Sequence, residues 1–340
     1  MKVLVTGTDG YIGSLLAPVL AKRGHEVIGL DTGFYRDGWL SDEASASATT
    51  LRKDIRQVGT QDVRGCDAVV HLAELSNDPL GEHNPEVTYE VNYRGSAHLA
   101  AVCKAAGISR FVYSSSCSVY GAGSDSLRTE ESETCPQTAY AECKILVEQA
   151  LLSMAGDGFS PTILRNATAF GPSPRMRFDI VLNNLAAWAW TTGEIKMTSD
   201  GTPWRPLVHV LDICEAVACA LEAPRDCIHA QIFNVGTAEQ NYRVREIAEI
   251  VARTFPGCNL VLGANSGDTR SYRVSFEKIH ATLPGFAGTR NAALGAQQLR
   301  DLFAQLELSR DTFEFRAYTR LRQLEHLLST GQVGPELFWR

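Results

Sequence analysis

Tyr140 and Lys144 stand four residues apart at the start of a helical stretch. At that spacing both side chains share one helix face, so the ammonium can sit beside the phenol. A phenol with a pKa of about 10 is a poor base at neutral pH, and a nearby positive charge favours the phenolate. Upstream, Phe111-Val112-Tyr113-Ser114-Ser115-Ser116 is an apolar strand that ends in hydroxyls, followed by Cys117, Ser118 and Gly121. Ser116 can hydrogen-bond the oxygen that gains or loses the proton. Such a set moves a proton on and off a sugar or alcohol hydroxyl while a hydride leaves or arrives at the carbon. Chance produces a Tyr–Lys pair at this spacing in many chains, so its weight depends on the elements that position it.

Those elements begin at the N-terminus. Lys2-Val3-Leu4-Val5-Thr6 reads as a buried parallel strand, and a helical pattern runs through Leu15, Leu16, Val19 and Leu20. Between them lie Gly7, Asp9, Gly10, Tyr11, Ile12 and Gly13, a turn whose glycines let the backbone approach a pyrophosphate at the helix N-terminus. A second strand, Glu26 to Leu30, ends in Asp31, which can accept hydrogen bonds from both ribose hydroxyls and would repel a 2′-phosphate. This favours NAD over NADP, with Arg36 nearby as the feature pointing the other way. Asp54 and Ile55 are placed to flank the adenine. Ala68 to Ala73 reads as a further strand, Val87 to Ala106 largely as helix, and the strand from Phe111 puts Ser116 at a carboxyl end, where open α/β sheets bind ligands. The expectation is an α/β chain: a Rossmann-type doubly wound parallel sheet over residues 1–165 that carries the Ser/Tyr/Lys set. Residues 166–340 would form mainly a smaller C-terminal substrate-binding lobe, with some segments returning to the sheet. Glu74, Ser76 and Asn77, just past a strand end, are expected to line a sugar pocket.

At 340 residues the chain has room for two lobes, and 44% hydrophobic with 21% charged residues describes an ordinary globular protein. A net charge of −7 leaves no basic footprint for nucleic acid or an acidic membrane surface. Nine irregularly spaced cysteines imply neither a metal site nor a disulfide framework. Met1-Lys2 runs straight into a strand and no apolar run reaches membrane-spanning length, so a cytoplasmic protein is expected. Gly171-Pro172-Ser173-Pro174 breaks any helix, and Arg175, Arg177 and Arg205 supply local positive charge suited to phosphates. Helices are expected at Ile180 to Thr192 and Ile213 to Ala223, and amphipathic packing helices from Leu294 through Arg322 and Leu328.

Over roughly residues 1 to 280 the sequence resembles the extended short-chain dehydrogenase/reductases, specifically the nucleotide-sugar epimerase/dehydratase family. The shared residues are Gly7, Gly10 and Gly13, Asp31, Asp54-Ile55, His71-Leu72-Ala73, Asn92, Ser114-Ser115-Ser116, Tyr140 with Lys144, Gly171-Pro172, and Arg205 with His209-Val210 and Asp212. The resemblance implies Ser116, Tyr140 and Lys144 as the catalytic set, with Asn92 ordering the active-site helix. Leu72, Ala73, Ser114 and Lys144 would lie along NAD, with Lys144 on the nicotinamide ribose. Arg205 would grip a substrate diphosphate, Asn183 and Asn184 a nucleotide, and Arg270 or Arg273 a further phosphate. Departures fall on the substrate side: Arg165-Asn166-Ala167-Thr168 replaces the usual run before Gly171, and Arg205 is followed by Pro206.

Dehydratases of this family carry an acidic pair directly after the serine, where this chain has Cys117 and Ser118. That small-residue pattern resembles 4-epimerases. The expected activity is therefore NAD-dependent epimerisation of a nucleotide sugar through a transient keto intermediate, with Tyr140 as acid and base. The alternative is an NAD(P)H-dependent ketoreductase of a keto-sugar nucleotide. A 4,6-dehydratase comes behind both, and a non-catalytic NAD-binding protein is argued against by the intact Ser116, Tyr140 and Lys144. Helices around Val87 to Ala106 and Tyr140 to Leu152 commonly pair across a two-fold in this family, so a homodimer is the default expectation.

Overall fold

The computed structural model describes residues 1–40, 49–76, 84–121, 126–264 and 271–340. Its main sheet holds seven parallel strands in the order β3 (Thr49–Arg52), β2 (Glu26–Asp31), β1 (Lys2–Thr6), β4 (Ala68–His71), β5 (Arg110–Ser116), β7 (Ser160–Asn166) and β11 (Gln231–Val235). Helices cover both faces, so the central strands are apolar runs instead of alternating ones. On one face Val3 and Val5 pack with Leu16 and Leu20 of α1 (Gly13–Lys22). On the other, Leu4 packs with Leu99 of α2 (Ser96–Ala105) and Val147 and Leu151 of α3 (Ala139–Met154). Each such leucine or valine contributes about 1.5–3 kcal/mol by leaving water.

Strand order reverses between β1 and β4, which opens a crevice at their carboxyl ends. A chain of hydrogen bonds ties the elements together there. Thr6 Oγ1 accepts the Leu72 and Ala73 amides, each at 3.2 Å, so its own proton goes to His71 Nδ1 at 2.7 Å. His71 Nε2 must then donate to Ser96 Oγ, also at 2.7 Å. Burial, and secondarily the Lys144 charge, push the His71 pKa down to about 3, so the ring is a neutral tie between elements.

A second layer carries the remaining strands. These are β8 (Thr168–Phe170), β10 (Trp204–His209) and β12 (Asn241–Arg243), together with two pairs, β9 (Glu194–Lys196) with β13 (Asn259–Val261) and β6 (Leu127–Arg128) with β14 (Arg273–Val274). The helices α4 (Val181–Thr192), α6 (Val244–Thr254) and α7 (Ala292–Gln305) complete it, while α5 (Val210–Glu222) packs beside α1 on the main sheet. Its core is aromatic: Phe178 meets Phe313 edge-on at 5.2 Å and Phe303 at 6.0 Å. The last helix, α8 (Arg320–Ser329), leaves this core and packs with Val333 and Leu337 against Phe34 and Leu75, beside the main sheet.

The stretch Val87 to Ala106, expected largely as helix, contains a change of pitch. Pro85–Thr88 and α2 are α-helical, and Tyr89–Gly95 between them is a π-helical segment. Its wider turn lets Asn92 point inward and bond the Leu75 backbone at both ends, a feature that hydrophobic periodicity does not register. No helix among the described residues is long and apolar enough to cross a membrane.

Candidate active site

A cavity of about 970 Å³ lies between the carboxyl ends of the main sheet and the second layer. One end is the glycine turn after β1. Gly7 takes φ +77°, and a Cβ there would sit 2.9 Å from the Ala73 nitrogen. At Gly13 a Cβ would lie 2.1 Å from Gly7 O, so α1 can start hard against the turn only with glycine. At the end of β2, the Asp31 carboxylate accepts the Gly33 amide at 2.7 Å and the Asp9 amide at 3.0 Å. Asp9 itself is taken up by Arg52 at 2.5 Å, and the exposed Arg36 comes within 3.9 Å of it. Asp54 and Ile55 also line the cavity, with the Asp54 carboxylate gripped by Arg56 through two bonds of 2.9 and 2.7 Å. A cradle with no room for side chains, an acidic strand end and the cavity's size fit a dinucleotide. Gly7, Gly10, Tyr11, Ile12 and Gly13 would hold its pyrophosphate and Asp31 a ribose.

The proton-transfer corner is built by β5 and α3. Thr138 caps α3 by accepting the Ala141 amide at 3.2 Å, which puts Tyr140 in the first turn and Lys144 one turn on. Lys144 Nζ lies 5.4 Å from the Tyr140 ring centroid and 4.8 Å from that of Tyr113, and donates to Ser114 O. Its charge partner is Glu74, at 2.6 Å, whose other oxygen accepts the Tyr113 hydroxyl, also at 2.6 Å. Burial alone would lower the lysine's pKa, but Glu74 and Tyr140 outweigh it and hold it above the ordinary value. For Glu74, burial pushes the carboxyl up more than Lys144 and Tyr113 pull it down. Ser116 Oγ accepts the Ser118 amide at 3.1 Å. Both serines line the cavity, and Ser118 Oγ is buried with no hydrogen-bond partner among the described residues.

On the substrate side, Ser76, Thr168, Arg177, Asn184 and Arg205 line the cavity. Arg177 pairs with Asp179 at 2.8 Å and reaches Ser76 O at 3.3 Å, so it bridges two cavity loops. Several expected contacts fall elsewhere. Cys117 turns into the core and its thiol reaches Arg165 O at 3.2 Å, because the turn after β5 sends Ser116 and Ser118 to the cavity and the residue between them behind the sheet. Burial pushes that thiol's pKa up. Arg175 is fully buried and donates to the Gly38, Met176 and Ala317 carbonyls, a joint between loops. Asn183 bonds the Gly171 amide at 3.0 Å and the Tyr11 hydroxyl at 3.2 Å, tying the glycine turn to the second layer. Asn92, expected to order the active-site helix, bonds the Leu75 backbone and so fixes the loop carrying Glu74. Arg273 does not line the cavity and lies 5.2 Å from the Trp204 ring. Asn77 and Arg270 lie outside the described residues.

Three features went unread in the sequence: the Glu74–Lys144 pair, and Tyr35 and Arg320 on the cavity wall. A glutamate beside a buried strand end signals a needed cation. Nothing at the level of sequence places Arg320 near the first helix.

The profile of the NAD dependent epimerase/dehydratase family matches residues 3–236. The UDP-glucose 4-epimerase of Corynebacterium glutamicum is 30% identical over 265 residues, 74% of this chain and 79% of that one. MoeE5, solved with UDP-glucose and NAD, superposes with TM-score 0.76 at 27% identity, covering 90% of this chain and 100% of its own. DesIV, the dTDP-glucose 4,6-dehydratase of Streptomyces venezuelae solved with NAD, superposes with TM-score 0.78 at 25% identity, covering 90% and 97%.

Proposed function

The chain belongs to the NAD dependent epimerase/dehydratase family, and from that premise we propose that it epimerises a nucleotide-activated sugar through a transient keto form. NAD supplies the capacity to take a hydride from the sugar carbon and give it back. Tyr140 removes the proton from the hydroxyl on that carbon and later restores it. Lys144 holds the positive charge that makes the phenol able to do so, and Ser116 hydrogen-bonds the same oxygen. Arg205 and Asn184, on the far wall, hold the nucleotide end. Positioned proton transfer of this kind contributes about 10²–10⁴-fold.

The observation that carries the reading over dehydration is the state of the carboxylates on the cavity wall. Elimination of water needs an acid and a base beyond the tyrosine. Asp31, Asp54, Glu74 and Asp179 line the cavity, and each is committed: to backbone amides, to Arg56, to Lys144 and to Arg177 respectively. The groups beside Ser116 are a buried thiol and a hydroxyl. Ser118 Oγ, without a partner among the described residues, is left to meet a sugar hydroxyl.

A reaction that returns its hydride has no reason to release its cofactor. Freshly purified protein, once denatured, is expected to release NAD⁺ and NADH together in near one-to-one ratio with the chain. Protein that emerges empty and binds NAD(P)H only weakly would favour the ketoreductase instead.

A further inference from the structure

The cavity wall opposite the glycine turn comes from the far end of the chain. Thr319, Arg320 and Leu321, at the start of α8, line the cavity. Arg320 is 5% exposed, and its terminal nitrogen lies 3.8 Å from where a Cβ on Gly10 would be. Its guanidinium lies over the Tyr35 ring, 4.0 Å from the centroid. Among the described residues, Arg320 Nε and the Tyr35 hydroxyl are both buried without a hydrogen-bond partner. A desolvated cation and an idle hydroxyl, side by side above the middle glycine of a phosphate cradle, form half of an anion site. The other half is the row of backbone amides from Tyr11 to Gly13, the Gly10 amide being given to Gly7 O at 3.0 Å.

The segment carrying Arg320 is bolted to the adenosine side of the sheet. Gln323 donates to Phe34 O at 2.9 Å and Trp339 to Thr32 O at 2.7 Å, both just past β2. Arg56, beside the end of β3, donates to Glu336 O at 2.9 Å and lies 3.8 Å from the Phe338 ring. The segment is therefore held as a wall of the cavity beside the glycine turn.

We propose that Arg320, stacked on Tyr35, clamps the pyrophosphate of the bound dinucleotide from the side opposite the glycine turn, making the C-terminal segment a retaining clasp for the cofactor. Neither a nucleotide-sugar diphosphate nor a purely structural arginine needs this position over Gly10, and each predicts a different result.

The test is ligand binding to protein stripped of nucleotide, comparing wild type with Arg320→Gln and Arg320→Lys. Loss of a charge-assisted hydrogen bond weakens binding by about 10–100-fold. Arg320→Gln is expected to lose that factor for NAD⁺ and for ADP, with adenosine and UDP unchanged within about twofold. Arg320→Lys should recover part of it, as a point charge without the planar fork. In wild-type protein, NAD⁺ and ADP should slow amide exchange across residues 319–325, and adenosine should not. Unchanged NAD⁺ affinity in Arg320→Gln would overturn the proposal. Equal loss for adenosine would do so too, since the arginine would then only shape the pocket. Loss confined to UDP would assign the residue to the substrate's diphosphate. If Arg320→Gln fails to fold, uniform exchange protection by adenosine and ADP in wild type is the overturning result.

Discussion

Tyr140→Phe is expected to lower kcat by about 10²–10⁴-fold while nucleotide content and stability stay at wild-type levels. The substitution removes one oxygen from a half-buried ring and leaves the surrounding packing in place. Lys144 keeps its partners, because its ammonium is held by Glu74 and Ser114 O and lies 5.4 Å from the centroid of a ring that the substitution retains. The loss therefore falls on the proton transfer. KM should move little, because the far wall, proposed to hold the nucleotide, is untouched. Steady-state kinetics, with release of bound nucleotide from the same preparation, checks both halves. A kcat within about fivefold of wild type would remove Tyr140 from the chemistry, since a positioned acid–base group is worth far more.

Glu74→Ala is expected to destabilise the fold by about 3–5 kcal/mol. The side chains of Lys144 and Glu74 are 6% and 2% exposed, so removing the carboxylate strands a cation away from water and leaves the Tyr113 hydroxyl without its acceptor. The same change made with Lys144→Met should cost much less than the two single changes added together, because no buried charge is then left alone. Chemical denaturation of the four proteins completes the cycle. A single-variant cost under about 1 kcal/mol with additive effects would mean that Glu74 does not hold the lysine. Glu74 was expected from the sequence to line a sugar pocket; it lines the cavity, and its carboxylate also holds the Lys144 ammonium.

The Rossmann half of the chain was legible because its signals are local. The apolar run Val3-Leu4-Val5 announces a buried parallel strand, three glycines in the turn after it admit only a cradle, and Asp31 closes β2 where a ribose would lie. That Ser116, Tyr140 and Lys144 share one cavity was legible for the same reason: strand end and helix turn fix where they point. What stayed hidden depends on chain crossings. Arg175 and Arg177 look alike in sequence, yet one is spent on carbonyls from two distant loops and the other lines the cavity. Cys117 and Ser118 differ by a rotation within a single turn, which puts one in the core and the other on the cavity. The helices past Leu294 were read as packing helices, which α7 is, since Leu299 and Phe303 fill the second-layer core. No periodicity shows that α8 crosses back to Phe34 and sets Arg320 over Gly10.

The most direct test of the epimerase reading uses nucleotide sugars carrying deuterium on the carbon to be inverted. They are incubated with purified protein and no added cofactor, and followed by proton NMR. A new epimer that keeps its deuterium, with no net gain in NADH absorbance, is the expected result, because the hydride is taken and returned within one site. A deoxy-keto product, or turnover only while supplied NAD(P)H is consumed, would contradict it.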